Sequence, residues 1–206
     1  YLSSDQKVRA DWVRQRTVGR AVDIGSSDGW ALHETTTPHV NVDMDRYNIE
    51  DFVQADACSL PFPDKNFDTA ILGEILEHVD EPALLIKEAL RVSKRHVLIT
   101  TPSEYEWAKD RAPLLTREER MKRDGFPDVD AMQKNFTGTN PCCTQMVRES
   151  EKDHTWHKHW FTEESLRKIL DAFSVKYSVE RLTQNGFVWF AVAMTKPSNP
   201  QPSSAM

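Results

Sequence analysis

The sequence predicts an α/β fold with a seven-stranded, mostly parallel sheet, helices on both of its faces and a C-terminal antiparallel hairpin. Three observations carry that expectation. Short apolar runs recur at Arg20–Ile24, Val40–Asp43, 52–57, Thr69–Leu72 and 96–101, most of them too far apart in sequence to be hairpin partners; that is the pattern of buried strands joined by crossovers. The clearest amphipathic stretch, Glu81 to Val92, lies between the fourth and fifth runs, with Leu84, Leu85, Ala89, Leu90 and Val92 at helical spacing. Near the carboxyl terminus the runs "FSVKYSVERL" and "FVWFAVAMT" flank "TQNG", and Asn-Gly favours the two-residue turn of a hairpin.

In chain order, Ser3 or Ser4 caps a first helix on which Val8, Trp12 and Val13 share a face. The strand Arg20–Ile24 follows. "HETTTPHVNVDMD" turns at Pro38 and supplies the second strand, ending in Asp43. Only "RYNIED" separates it from the third, "FVQADA"; a parallel crossover usually takes a dozen or more residues, so a loop without a helix is expected there. "PFPDKNFDTAILG" makes a turn and then the fourth strand, and "HVLITT" makes the fifth, stopping at Pro102. From Ser103 to about Asp153 the chain is polar and interrupted by Pro113, Pro127, Pro141, Gly125 and Gly138. So long an irregular stretch inside a domain is typically a lid or a binding element, and residues 103–158 are read as an inserted lid or substrate-binding segment. Thr162, with Glu163 and Glu164 behind it, caps a last helix running through Leu166, Ile169 and Leu170 to Phe173. Residues 1–196 are thus read as one domain, and the Pro- and Ser-rich 197–206 as a disordered tail.

The 206 residues carry a formal net charge of −6. A nucleic-acid partner is therefore disfavoured, since an acidic chain repels phosphates unless its basic residues gather on one face. Cys58, Cys142 and Cys143 cannot all pair and read as reduced thiols. No apolar run approaches the ~20 residues a bilayer span requires, and "YLSSDQKVRADWV" lacks the core of a signal peptide. A cytoplasmic protein without a membrane partner is the expectation.

"AVDIGSSDGW", Ala21 to Trp30, is a strand breaking into a glycine-bounded loop. A P-loop would need a lysine and a hydroxyl after the last glycine, and a dinucleotide site would need G-x-G-x-x-G; neither is present. What remains is a loop that can seat a ligand against backbone N–H groups at a following helix N-terminus. Asp43 follows Asp23 by 20 residues, a spacing suited to a carboxylate that accepts from ribose hydroxyls. Asp56 can accept from an exocyclic amine. Together these describe a nucleoside with a small polar substituent and no phosphate.

"VDIGSSDG", "NVDMD", "FVQADACSLPFPDKNFD" and "TAILGEILEHVDEPALLIKEALRV" together resemble the class I S-adenosylmethionine-dependent methyltransferases, especially the group similar to the ubiquinone and menaquinone methyltransferases (methyltransferase type 11). The resemblance covers roughly Arg20 to Pro102 and implies a Rossmann-like sheet with S-adenosylmethionine (AdoMet) as cofactor and S-adenosylhomocysteine as product. It implies that Gly25, Ser26, Ser27 and Gly29, entered from Asp23, cradle the methionine part. It further implies that Asp43 holds the ribose with Met44 against adenine, that Asp56 and the Ala57 backbone meet the adenine edge, and that Gly73 and Glu74 lie beside the amino group and sulfonium. Two departures stand out: Ser27 occupies the middle position of the family's G-x-G-x-G, and "RVSKRHVLIT" lacks a Pro-Gly-Gly turn before the fifth strand.

Methyl transfer to a hydroxyl needs alignment and a base, and histidine titrates in the right range. In "HTWHKHWF", His154, His157 and His159 alternate with Trp156 and Trp160. One reading makes these a substrate mouth, with His154, Trp156 and Trp160 lining it and His157 or His159 as base. A second gathers the histidines with Cys142 and Cys143 around a metal, but the spacing matches no familiar site, and no metal is assigned. A third has Trp160 and Phe161 packing as a staple while the histidines face water. His78, beside Glu77, is the reserve base. The expected activity is methyl transfer to a small-molecule hydroxyl. The rivals are a tRNA or protein acceptor docked through "TREERMKR", and a non-catalytic module that binds AdoMet or its product.

Overall fold

The structure, a computed structural model, describes residues 2–103, 159 and 161–197. Most of the expected lid, 104–158, and the tail beyond 197 lie outside the described residues. The elements are α1 (Ser4–Arg16), β1 (Ala21–Ile24), β2 (His39–Asp43), β3 (Phe52–Gln54), β4 (Phe67–Gly73), α2 (Pro82–Val92), β5 (Ser93–Pro102), α3 (Glu163–Leu170), β6 (Lys176–Gln184) and β7 (Phe187–Thr195). The seven strands form one sheet in the order β3-β2-β1-β4-β5-β7-β6. β1 to β5 pair in parallel, and β7 is antiparallel to both β5 and β6. The order reverses at β1, so connections leave β1 and β4 in opposite directions and a crevice opens beyond their carboxyl ends.

Each sheet face buries its own cluster. On one, Leu85, Ile86, Ala89 and Val92 of α2 and Leu166 and Leu170 of α3 pack against Val22, Ile24, Leu72, Val97 and Phe190. On the other, Ala10, Trp12 and Val13 of α1 pack against Ala21, Ile71 and Leu98, together with Trp30 and Leu32. The starts of α1 and α3 are capping boxes. Ser3 Oγ accepts from Gln6 N at 3.2 Å while Ser3 N donates to Gln6 Oε1 at 3.0 Å, and Thr162 and Ser165 exchange the same pair of bonds. α1 has a narrow apolar face and is also held by its arginines. Arg14 donates to the carbonyls of Ala31 at 3.1 Å and His33 at 2.7 Å, and Arg16 pairs with Glu180 of β6 at 3.0 Å.

Four local expectations need correction. No helix follows the glycine loop, where residues 27–34 form consecutive turns. Leu84 does not join the core and is 40 % exposed, because the buried face of α2 is set by Pro82, Leu85, Ile86, Ala89 and Val92 and Leu84 lies off it, at the cavity. α3 stops at Leu170 instead of Phe173. β5 starts at Ser93, directly after α2, so the missing Pro-Gly-Gly turn corresponds to no loop at all; the last carbonyls of α2 are met instead by Lys196, whose Nζ donates to Leu90 O and Ser93 O at 2.8 and 2.7 Å. The β2–β3 connection lacks a helix, as its length required, and is tied down by Asn41 Nδ2 donating to Glu50 O at 3.0 Å.

The hairpin turn has Asn185 and Gly186 at φ +52° and +78°, both in the left-handed region that a type I′ turn demands. A Cβ at 186 would meet nothing within 4 Å. Gly186→Ala therefore tests backbone conformation alone and is expected to cost about 1 kcal/mol, read as a lower urea midpoint at unchanged slope. A second prediction concerns Asp23, which lies between Asn41 and Ile71 in register and is 1 % exposed, with Oδ2 lacking a hydrogen-bond partner among the described residues. Burial, and secondarily the charges of Asp43 and Asp28, push its carboxyl from the ordinary 3.8 up to about 7. Below pH 3.8 the group is protonated in both folded and unfolded chains and costs nothing; as pH rises toward 7 only the unfolded chain ionises freely, so stability is lost. Thermal melts across that window should show the native protein losing on the order of a few kcal/mol relative to Asp23→Asn, which lacks the titration.

Candidate active site

A cavity of about 740 Å³ occupies the crevice beyond the strand ends. The loop after β1 contributes Gly25, Ser27 and Asp28. The end of β2 contributes Asp43 and Met44, and the turn after β3 adds Asp56 and Ala57. Gly73, Glu74 and His78 come from the end of β4, and Leu84 from α2. Nine of the sequence-predicted residues thus line one cavity: Gly25, Ser27, Asp43, Met44, Asp56, Ala57, Gly73, Glu74 and His78. Asp23, Ser26 and Gly29 are buried behind it. His159 is not part of the wall: its N–H donates to Glu77 O at 3.1 Å and its ring stacks on Phe161 with centroids 5.9 Å apart. His154, Trp156, His157 and Trp160 lie outside the described residues.

The glycine loop works differently from the expectation of a free row of N–H groups. Gly25 N and Ser26 N both donate to Val42 O, at 2.7 and 2.9 Å, Gly29 N donates to Ser26 O at 2.8 Å, and Ser27 N donates to Asp43 Oδ2 at 2.9 Å. These donors are spent on the protein, so the loop offers a surface rather than a nest. Gly25, Ser27 and Gly29 all have positive φ, of 72°, 49° and 78°. The family's glycine at the middle position is thereby explained, and Ser27 holds a conformation that costs an L-residue about 1 kcal/mol or more.

The acids are oriented by backbone. Asp43 accepts from Ser27 N through Oδ2 and from Asp45 N through Oδ1 at 3.0 Å. A carboxylate has roughly four acceptor positions, so a vicinal diol can still be bound. Asp56 Oδ1 accepts from Cys58 N at 2.8 Å in an Asx turn, and the residue lines the cavity. Glu77, 1 % exposed, accepts from Thr101 Oγ1 at 3.0 Å, and its Oε1 stands 3.9 Å from His78 Nε2.

Sequence reading missed the contribution of α1, which sends Gln6 and Arg9 into the cavity. Arg9 pairs with Glu74 and lies between the rings of Trp30 and Trp189, 5.2 and 4.8 Å from their centroids. Gln6 and Arg9 share a helix face at i,i+3, a visible signal, but nothing local says that this face overhangs the sheet end. Among the described lining residues Arg9 carries the one guanidinium, against Asp28, Asp43, Asp45, Asp56, Glu74, Asp80 and Glu81. Such a wall disfavours a phosphate and suits a ligand bearing positive charge. AdoMet, with a sulfonium, an ammonium, a diol, an exocyclic amine and a single carboxylate, matches this donor and acceptor set. Among the described residues no cluster could hold a metal ion, and no helix is long and apolar enough to cross a membrane.

Residues 22–100 match a family model described as a methyltransferase domain. No curated protein sequence matches the chain. Among solved structures, the chain is similar to a SAM-dependent methyltransferase of Thermotoga maritima described as a possible histamine N-methyltransferase, with TM-score 0.60, 17 % identity, and 93 % of this chain and 89 % of that one covered. It is also similar to the plantazolicin methyltransferase BpumL in complex with S-adenosylhomocysteine and a desmethyl analogue, with TM-score 0.57, 11 % identity and coverage of 93 % and 84 %. The [4+2]-cyclase SpnF shares the fold too, at TM-score 0.60, 15 % identity and coverage of 94 % and 81 %. The family match, the strand order and the acid-lined cavity converge: residues 22–100 match a methyltransferase domain on the class I fold, and S-adenosylmethionine is the cofactor that this match implies.

Proposed function

We propose that the protein methylates a hydroxyl of a small molecule, with His78 as the base. The observation that carries this reading is the position of His78 on the cavity wall, with the buried carboxylate of Glu77 beside it. Of the histidines first considered, His159 is engaged elsewhere through its backbone and ring stack. A volume of about 740 Å³ lies within the roughly 300–1,000 Å³ of small-molecule sites.

When bound, AdoMet supplies an electrophilic methyl group on a cationic sulfur that leaves as a neutral thioether. The chain's own residues then have these roles. Asp43 holds the ribose diol, Met44, 66 % exposed, covers the adenine, and Asp56 and Ala57 meet its edge. Gly25 and Ser27 form the wall for the methionine part, shaped from behind by Asp23, Ser26 and Gly29. Glu74 balances the ammonium. With the loop donors committed to Val42 and Asp43, Arg9 is the cation available for the cofactor's carboxylate. His78 takes the proton of the acceptor hydroxyl as the new bond to carbon forms, and the adjacent Glu77 carboxylate stabilises the imidazolium.

Incubation with AdoMet and a metabolite extract should yield S-adenosylhomocysteine together with a compound heavier by one methylene. Cofactor binding without either product in any pool would sink small-molecule transfer, and a pure binding module would give that result. Asp43→Ala should weaken S-adenosylhomocysteine by about tenfold or more in calorimetry. His78→Asn should leave that affinity unchanged and slow transfer by about a hundredfold or more; equal rates would remove His78 as the base.

A further inference from the structure

The segment Leu60–Lys65 joins the Asp56 turn to β4 and contains Pro61 and Pro63. Prolines lack the N–H that a ladder or helix would use, so the segment cannot satisfy its own carbonyls regularly. A single side chain from α2 does so. Arg91 donates through NH1 to Phe62 O at 2.7 Å and Asp64 Oδ1 at 2.8 Å, and through NH2 to Leu60 O at 3.1 Å. Glu88, one turn earlier, takes Arg91 Nε at 2.9 Å and Leu60 N at 2.8 Å. The return contact is Lys65 N to Arg91 O at 2.9 Å. A planar guanidinium thus fixes three groups of one strap, a task that an ammonium cannot copy.

The strap begins two residues after Cys58, and Asp56, Ala57 and Cys58 line the cavity; α2, on its other side, begins beside Val79, Asp80 and Glu81 and carries Leu84, which line it as well. The Arg91–Glu88 pair ties the strap to α2 and is not among the residues that line the cavity. We propose that Arg91, seated by Glu88, is a positioning residue that fixes the width of the adenosine end of the cavity and thereby sets affinity for adenosine-bearing ligands. This rests on the reading that adenine lies against Met44, Asp56 and Ala57.

The test is calorimetric titration of the full chain with S-adenosylhomocysteine and, separately, with 5′-methylthioadenosine, which keeps the adenosine and lacks the amino-acid end. Arg91→Lys and Arg91→Ala should each weaken both ligands by the same factor, about tenfold, with Arg91→Lys retaining the fold by circular dichroism. Arg16→Met, which breaks a pair with Glu180 remote from the cavity, is the stability control: it should lower the melting temperature and leave both affinities as they are. Should Arg91→Ala fail to fold, Arg91→Lys and Glu88→Gln carry the comparison. Folded variants that bind both ligands like the native chain overturn the proposal, as does a loss confined to S-adenosylhomocysteine. Absence of binding by the native chain would instead refute the cofactor assignment on which the proposal rests.

Discussion

The pairing of β1 with β2 does not stop where the strands stop. Val42 O receives both Gly25 N and Ser26 N, and the next donor, Ser27 N, reaches the carboxylate of Asp43. The glycine loop is therefore laced to the end of β2 by the sheet's own hydrogen bonding, carried three residues past β1. The loop's positive-φ residues follow from that lacing, because only a left-handed path lets consecutive N–H groups turn toward one neighbouring carbonyl. The orientation of Asp43, the position of Asp28 and the depth at which Asp23 is buried all descend from it.

One consequence is electrostatic. Bringing the ends of three parallel strands together also brings their acids together, and the burial cost is visible at Asp23, whose carboxyl is pushed up to about 7. Such concentration of like charge opposes folding and favours a cationic ligand, a common exchange of stability for function. Arg9 relieves part of it. Its seat between Trp30 and Trp189, with Glu74 at its head, draws on residues from the loop after β1, from β7 and from the end of β4, so the N-terminal helix is docked by the same groups that shape the cavity.

A different device holds the other side of the crevice. β3 has only three residues and a Pro-rich strap follows it, so regular pairing contributes little there. Arg91 and Glu88 replace the missing ladder with side-chain bonds to the strap's backbone. One wall of the cavity is thus set by main-chain hydrogen bonding and the other by one arginine, although both belong to a single sheet.

How much of this is legible in the sequence differs from residue to residue. Asp43 and Asp56 are readable because a strand end is a local event: apolar residues cease, an acid appears, and parallel topology places such ends together. Asn185-Gly186 is readable for the same reason, since a type I′ turn asks for those residues whatever surrounds them. Leu84 misleads, because apolar spacing does not report which of two adjacent leucines, Leu84 or Leu85, packs on the sheet and which faces the cavity. Arg9, His78 and Arg91 belong to a third kind. Their partners are Glu74, Trp30 and Trp189 for the first, Glu77 and the cavity for the second, and the carbonyls of Leu60 and Phe62 for the third. Apart from the neighbour Glu77, those contacts join distant parts of the chain. By itself the sequence determined the strands, the parallel topology and the acids at the strand ends, because local periodicity and turn chemistry encode them. Only the tertiary structure decided which helix overhangs the crevice, that His78 faces it and which arginine spaces its walls, because each is a contact between segments whose relative placement no local pattern records.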